Sequence, residues 1–140
     1  MKLFPIGLTF GLLLALQACG PNQKDLNREK RAEVMAIHDE VMPKLGQLKT
    51  FEKKALQKAG ELAAINPVDS VQVRQLENLG KELDRAYEGM FVWMRQYELD
   101  EEGKSPEEIN IYLDEQLVSV TEVNTAIKDV LAKSDSLLAD

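Results

Sequence analysis

Cysteine, histidine and tryptophan each occur once in this chain of 140 residues, and aromatic residues make up only 6% of it. One cysteine excludes an internal disulfide and any zinc site built from several cysteines. One histidine excludes most metal centres and most acid–base catalytic designs. The glycines form no phosphate-binding loop, no Gly-x-Ser-x-Gly motif is present, and no Glu-x-x-His pair suits a di-iron bundle. These absences predict that the protein is not an enzyme.

The chain also lacks an excess of positive charge, with 17 Lys+Arg against 24 Asp+Glu and a formal net charge of −7. Nucleic acid is therefore excluded as a partner, because binding to phosphates needs a basic face. The bases concentrate early: residues 19–58 hold nine bases and six acids. Two explanations stay open. The basic first helix can lie beside acidic helices, or its start (Lys24, Arg28, Lys30, Arg31) can rest on anionic lipid headgroups.

The first 19 residues are typical of a bacterial lipoprotein signal. Lys2 precedes an apolar run at 3–16, which is shorter than the ~20 residues that span a bilayer. The following LQAC at 16–19 resembles the lipobox, in which the cysteine receives acyl chains such as palmitate and becomes the mature N-terminus. We therefore predict that residues 1–18 are removed, that Cys19 is lipidated, and that 19–23 form a short tether. An ordinary signal peptide with a chance cysteine, or an uncleaved anchor, are the alternatives.

This anchor predicts a location in the cell envelope. Gly20 and Pro21 follow Cys19, and no aspartate follows it directly. By resemblance to familiar lipoprotein sorting, in which such an aspartate retains the protein in the inner membrane, we expect the outer membrane. The sequence is compatible with a domain that faces either the periplasm or the cell exterior.

Apolar residues recur every three or four positions through the rest of the chain, which predicts amphipathic helices at about 24–65, 67–99 and 105–138. Pro43 should kink the first helix, whereas Gly80 and Gly89 either weaken the second or let a neighbour approach closely. Ser105, with proline next and Glu108 three residues on, predicts a capped helix start. The expected fold of residues 24–140 is all-α: an elongated, coiled-coil-like, antiparallel three-helix bundle, up-down-up, because short connections join the helices.

Two segments resemble a known group of proteins. HDEVMPKLGQL at 38–48 and MFVWMRQYE at 90–98 are similar to segments of small bacterial helical lipoproteins automatically labelled "viral A-type inclusion protein". That label carries no established activity and no site to transfer. The resemblance implies a helical envelope lipoprotein, in agreement with the residues themselves.

Methionine and histidine are spaced so that they can meet. Met35, His38 and Met42 share a face of the first helix, and Met90 and Met94 share one of the second. If the turn is centred near Asn66, antiparallel pairing puts residue n opposite roughly 132 − n. Thioether and imidazole ligands suit copper(I), and Trp93 could cover such an ion. The alternative is that these methionines only fill gaps in the core.

Four further apolar residues are candidates for a protein interface, namely Phe91, Trp93, Ile111 and Tyr112. The alternative is that they form the outer wall of a wide core. The sequence thus favours a lipid-anchored, non-enzymatic helical module of the envelope with an interaction or scaffold role, without a cofactor and with a possible envelope protein partner. Its alternative is an envelope protein that binds copper(I) through the methionine and histidine cluster.

Overall fold

The computed structural model describes residues 22–139, and every regular element in that range is helical. In chain order the elements are α1 (Gln23–Val41), a 3-10 turn (Met42–Lys44), α2 (Leu45–Ala63), α3 (Ser70–Gln96) and α4 (Pro106–Leu138). The predicted all-α class is confirmed for these residues. The predicted signal peptide at 1–18 and the lipidated Cys19 lie outside them.

Side-chain caps determine where three of the helices begin. The side chain of Asn22 accepts a hydrogen bond from the first turn of α1, and the carboxylate of Asp69 does the same for α3. At α4 the hydroxyl of Ser105 accepts from the backbone N–H of Glu108, whose carboxylate accepts from the backbone N–H of Ser105. This capping box is the one that the sequence predicts, and it satisfies two N–H groups that have no partner within the helix.

Several helix bounds differ from the predicted ones. The predicted helix at 67–99 occupies only Ser70–Gln96, because Asp69 is its N-cap and because the backbone turns extended at Tyr97. Pro67 lies before the cap and follows a cis peptide bond. The predicted helix at 24–65 consists of α1, the 3-10 turn and α2, and it ends at Ala63.

Pro43 lies within the 3-10 turn that joins α1 to α2. Proline has no backbone N–H and its ring crowds the preceding turn, so a regular α-helical hydrogen bond cannot form there. The N–H of Met42 still donates to the carbonyl of His38, and the N–H of Leu45 donates to the carbonyl of Met42. The winding therefore tightens locally and the helical path continues directly into α2.

The apolar faces of the helices pack into one core. Its largest fully buried apolar side chains are Leu48, Leu76, Leu79, Leu83, Met90 and Ile127. Leu113 of α4 is also fully buried. Burial of one such side chain contributes roughly 1.5–3 kcal/mol. The apolar spacing that predicts the helices thus also identifies the residues that hold them together.

Gly80 makes close packing possible between α3 and α2. A Cβ atom placed on Gly80 would lie 2.8 Å from Cδ2 and 3.1 Å from Cγ of Leu56. Gly89 is different, since a Cβ there would meet no atom within 4 Å. Of these two glycines of α3, only Gly80 lies close to a side chain of α2.

Polar contacts between helices show which parts of them are neighbours. Between α1–α2 and α4, residue numbers rise together: Asn27 donates to the Pro106 carbonyl (2.8 Å), Asn124 to the Ile37 carbonyl (2.9 Å), and Lys54 to the Leu138 carbonyl (3.0 Å). Asn27 and Asn124 are buried, and the apolar pattern did not identify them.

The contacts of α3 run the other way. As the numbers rise along α1 and α2 they fall along α3, in the pairs Arg31–Tyr97, His38–Trp93 and Lys49–Asp84. Bases of α1 and α2 also reach acids elsewhere, as Lys30 reaches Asp114. A basic first segment beside acidic helices, one of the two explanations of the charge asymmetry, accounts for these pairs.

Candidate functional site

The described chain begins at Asn22, three residues after Cys19, and Gln23 of the predicted tether is already the first residue of α1. Among the described helices, none has the length and apolarity needed to cross a membrane.

His38 lies near the C-terminal end of α1 and is only 9% exposed. Its Nδ1 atom is 2.8 Å from an Oδ1 atom of Asp39, a carboxylate that is itself largely in solvent. A carboxylate at Nδ1 fixes the orientation of the imidazole and the ring nitrogen that carries the proton. Nε2 is then the nitrogen that can act as an acceptor or a metal ligand.

Trp93 of α3 packs beside this histidine. The two ring centroids are 5.5 Å apart with a 34° angle between the planes, and the ring of Tyr97 stacks on Trp93 with centroids 4.9 Å apart. Trp93 is 4% exposed, and its indole N–H is buried without a hydrogen-bond partner. Native proteins leave few buried donors unpaired, so this N–H marks an unusual position in the core.

The methionines lie at different depths around this pair. Met90 is fully buried, whereas Met42 and Met94 are half-buried. Among the described side chains that pack against the core are Met42 and Met94, but not Met35, which is half-buried on α1. The contact between the rings of His38 and Trp93 shows that the segment of α3 that contains Met90 and Met94 lies beside the C-terminal part of α1.

No group of three or more His, Cys, Asp or Glu side chains within residues 22–139 is arranged to hold a metal ion. The ligands in the predicted cluster are of another kind, one imidazole and thioether sulfurs. Such ligands favour soft ions such as copper(I).

A second polar cluster, which the sequence did not reveal, lies where α1 meets the α3–α4 connection. Arg31 donates to the hydroxyl of Tyr97 (2.9 Å), forms an ion pair with Glu101, and lies over the ring of Tyr97. Burial opposes the charge of Arg31, but the hydrogen bond to Glu101, together with Tyr97 and the charge of Glu101, outweighs it, so the pKa of Arg31 is raised. The sequence indicates Arg31 only as one of four early bases, because its acid partner is 70 residues away.

The same connection holds Tyr112 in a fixed position. The backbone N–H of Glu98 donates to the Tyr112 hydroxyl (2.6 Å), and Lys104 lies over the Tyr112 ring. Burial raises the pKa of the Tyr112 hydroxyl, although the bond from Glu98 opposes that shift. A cleft of about 490 Å³ opens beside these groups, lined by Lys24, Asn27, Arg28, Arg31, Glu101, Lys104, Pro106 and Ile109.

The structure separates the four predicted interface residues. Trp93 is wrong as a surface candidate, because its ring lies in the core. Phe91 is half-buried against Tyr87, and Tyr112 is half-buried with its hydroxyl engaged. Ile111 is 59% exposed, and Val118, two turns further along α4, is 61% exposed.

Comparison with family models, with curated proteins and with solved structures finds no match to this chain.

Proposed function

We propose that this protein is a lipid-anchored, non-enzymatic helical module of the bacterial cell envelope, with an interaction or scaffold role. The observation that carries the proposal is the position of the only cysteine, at residue 19, directly after an apolar run and a small residue. The acylated cysteine attaches the chain to the outer membrane. Two or more acyl chains on one residue are enough to anchor a protein stably to a membrane.

The start of α1 supports an anchor that lies close to the helices. Asn22 already caps α1, so only residues 20 and 21 separate Cys19 from the cap. A chain spans at most about 3.5 Å per residue, so an anchor at Cys19 keeps this end of the domain within about 10 Å of the lipid.

The proposed architecture is an elongated, coiled-coil-like bundle in which three helical segments run up, down and up, with a bend at Pro43. The opposite directions of the contacts that α1–α2 make with α3 and with α4 support this order. The 3-10 turn supports the bend. At 1.5 Å per residue α4 is about 50 Å long, so spin-label distances between the ends of α4 and α3 test the arrangement.

The interaction role draws its support from α4. Ile111 and Val118 are seven residues apart and therefore lie on one helix face, and both are mostly exposed. Exposed apolar side chains along one helix face are a common form of docking surface for a partner helix.

Membrane fractionation tests the anchor. Cells that produce the wild-type chain or Cys19→Ala are separated into soluble, inner-membrane and outer-membrane fractions. We expect the wild type with the outer membrane and the variant elsewhere, since only the former can be acylated. Equal distribution of the two proteins would overturn lipidation.

Site-specific photo-crosslinking in whole cells tests the interaction role. A photoreactive residue is placed at Ile111 or Val118, with exposed Gln47 on α2 as the matched control position. We expect one discrete adduct from the α4 positions that is absent from Gln47 and is lost in the Cys19→Ala background. The same random neighbours at all three positions would remove the basis for a scaffold.

A further inference from the structure

We propose that His38, Met42, Met90 and Met94 form a binding site for copper(I), with the ring of Trp93 as its wall. The ion and the site lie between α1 with its 3-10 turn and α3, in the half of the bundle that contains Pro43. This inference does not rest on lipidation, because it concerns residues of the helical core only.

His38 has the features of a metal-binding histidine. It is only 9% exposed, and its Nδ1 atom lies 2.8 Å from Oδ1 of Asp39. Histidines that bind metals commonly donate their other ring N–H to a carboxylate, which orients the ring and raises its basicity. In this arrangement Nε2 is the ligand atom and Asp39 is a positioning residue.

The sulfur atoms are supplied from two helices at the same level. The backbone N–H of Met42 donates to the His38 carbonyl, so the two residues are one helical turn apart on one face. On α3, Met90 and Met94 are also one turn apart, and Trp93 between them contacts the His38 ring. Because α3 runs opposite to α1, Met90 lies level with Met42, and Met94 lies level with His38.

The wall and the ligands of the site both suit a soft, singly charged cation. An aromatic face attracts a cation most strongly when both are away from water, and Trp93 is 4% exposed. Thioether and imidazole ligands are neutral, so they suit copper(I) better than ions that need charged oxygen ligands.

Anaerobic titration of the full chain with copper(I), in competition with a chromophoric chelator, tests the site. Every protein carries Cys19→Ala, because a free thiol would itself bind copper(I). We expect one ion per chain and quenching of Trp93 fluorescence. Met90→Leu and Met94→Leu, which conserve side-chain volume, should each lower the affinity at least tenfold, and Asp39→Asn should lower it less.

Met35→Leu is the matched control, since it makes the same chemical change at a methionine outside the group that packs against the core. We expect its affinity to equal that of the parent. The proposal is overturned if the parent binds no stoichiometric copper(I), or if Met90→Leu and Met94→Leu bind as tightly as the parent. Circular dichroism of each variant shows whether it is still folded. A negative result for copper(I) binding would not change the result expected from the fractionation of Cys19→Ala.

Discussion

Replacement of Gly80 by alanine should lack the gain in stability that alanine, the better helix former, normally brings to a helix. Alanine in place of glycine within a helix gains about 1 kcal/mol. At Gly80, however, the new Cβ would lie 2.8 Å from Cδ2 and 3.1 Å from Cγ of Leu56. Overpacking of a dense core costs about 1–3 kcal/mol, but Leu56 is 47% exposed and its side chain can rotate toward solvent, so we expect the low end of that range. A cost of about 1 kcal/mol then offsets the gain, and the free energy of unfolding should change little.

Gly89→Ala is the matched control on the same helix. A Cβ at Gly89 meets no atom within 4 Å, so this variant should gain about 1 kcal/mol. The two variants should then differ by about 1 kcal/mol, which for a domain of this size corresponds to about 0.5 M in the urea midpoint. Urea unfolding followed by circular dichroism at 25 °C measures both.

A double variant identifies Leu56 as the cause. In a Leu56→Ala background the close contact is removed, so Gly80→Ala should stabilise the protein by the full gain of about 1 kcal/mol. If Gly80→Ala stabilises the otherwise unchanged protein as much as Gly89→Ala does, the close approach of α2 and α3 at this point is refuted.

Three further changes have defined outcomes. Leu83→Ala should cost about 2–5 kcal/mol by urea unfolding, because Leu83 is fully buried and leaves a cavity; a cost below 1 kcal/mol would contradict its place in the core. Ser105→Ala should cost about 0.5–2 kcal/mol, because it removes the cap that accepts from Glu108, and Ser105→Asp should restore most of that loss. Hydrogen bonds from Lys128, and then from Asn124, hold the pKa of Glu40 below its usual 4.5, so this carboxylate stabilises the fold above that pH. The contribution is lost as the pH falls through the lowered pKa, and Glu40→Gln should show a weaker loss of stability on acidification, measured by urea unfolding between about pH 6 and 3.

Much of the local structure follows from short-range physics. A hydrogen bond between Ser105 and Glu108 involves residues three apart, so the start of α4 is encoded within four residues. The effect of Pro43 is equally local, because the missing N–H and the ring act on the preceding turn. The predicted start of α3 is less accurate, because Pro67 and Asp69 both commonly begin a helix. In the structure Asp69 is the residue that accepts hydrogen bonds from the N–H groups of the first turn.

The candidate site shows a mixture of success and failure. The expectation that His38 and the Met90–Met94 segment meet agrees with the contact between the rings of His38 and Trp93. That expectation needed only the centre of the α2–α3 connection and the antiparallel direction of its helices. The partnership of Asp39 with His38 was not expected, because neighbours in a helix usually point in different directions.

Helical spacing of 3.6 residues determines which side chains share a face, and that is how the seams of α1 to α4 could be recognised without any structure. It does not determine how far each helix turns about its axis when its neighbours pack against it. Trp93 lies at the edge of its seam, so its place in the core rather than at an interface depended on the position of α1. The link between Arg31 and Glu101, and the one between Asn124 and Ile37, join residues 70 and 87 positions apart. Such contacts form only when all the helices are docked, because the free energy that selects them is shared between distant parts of the chain.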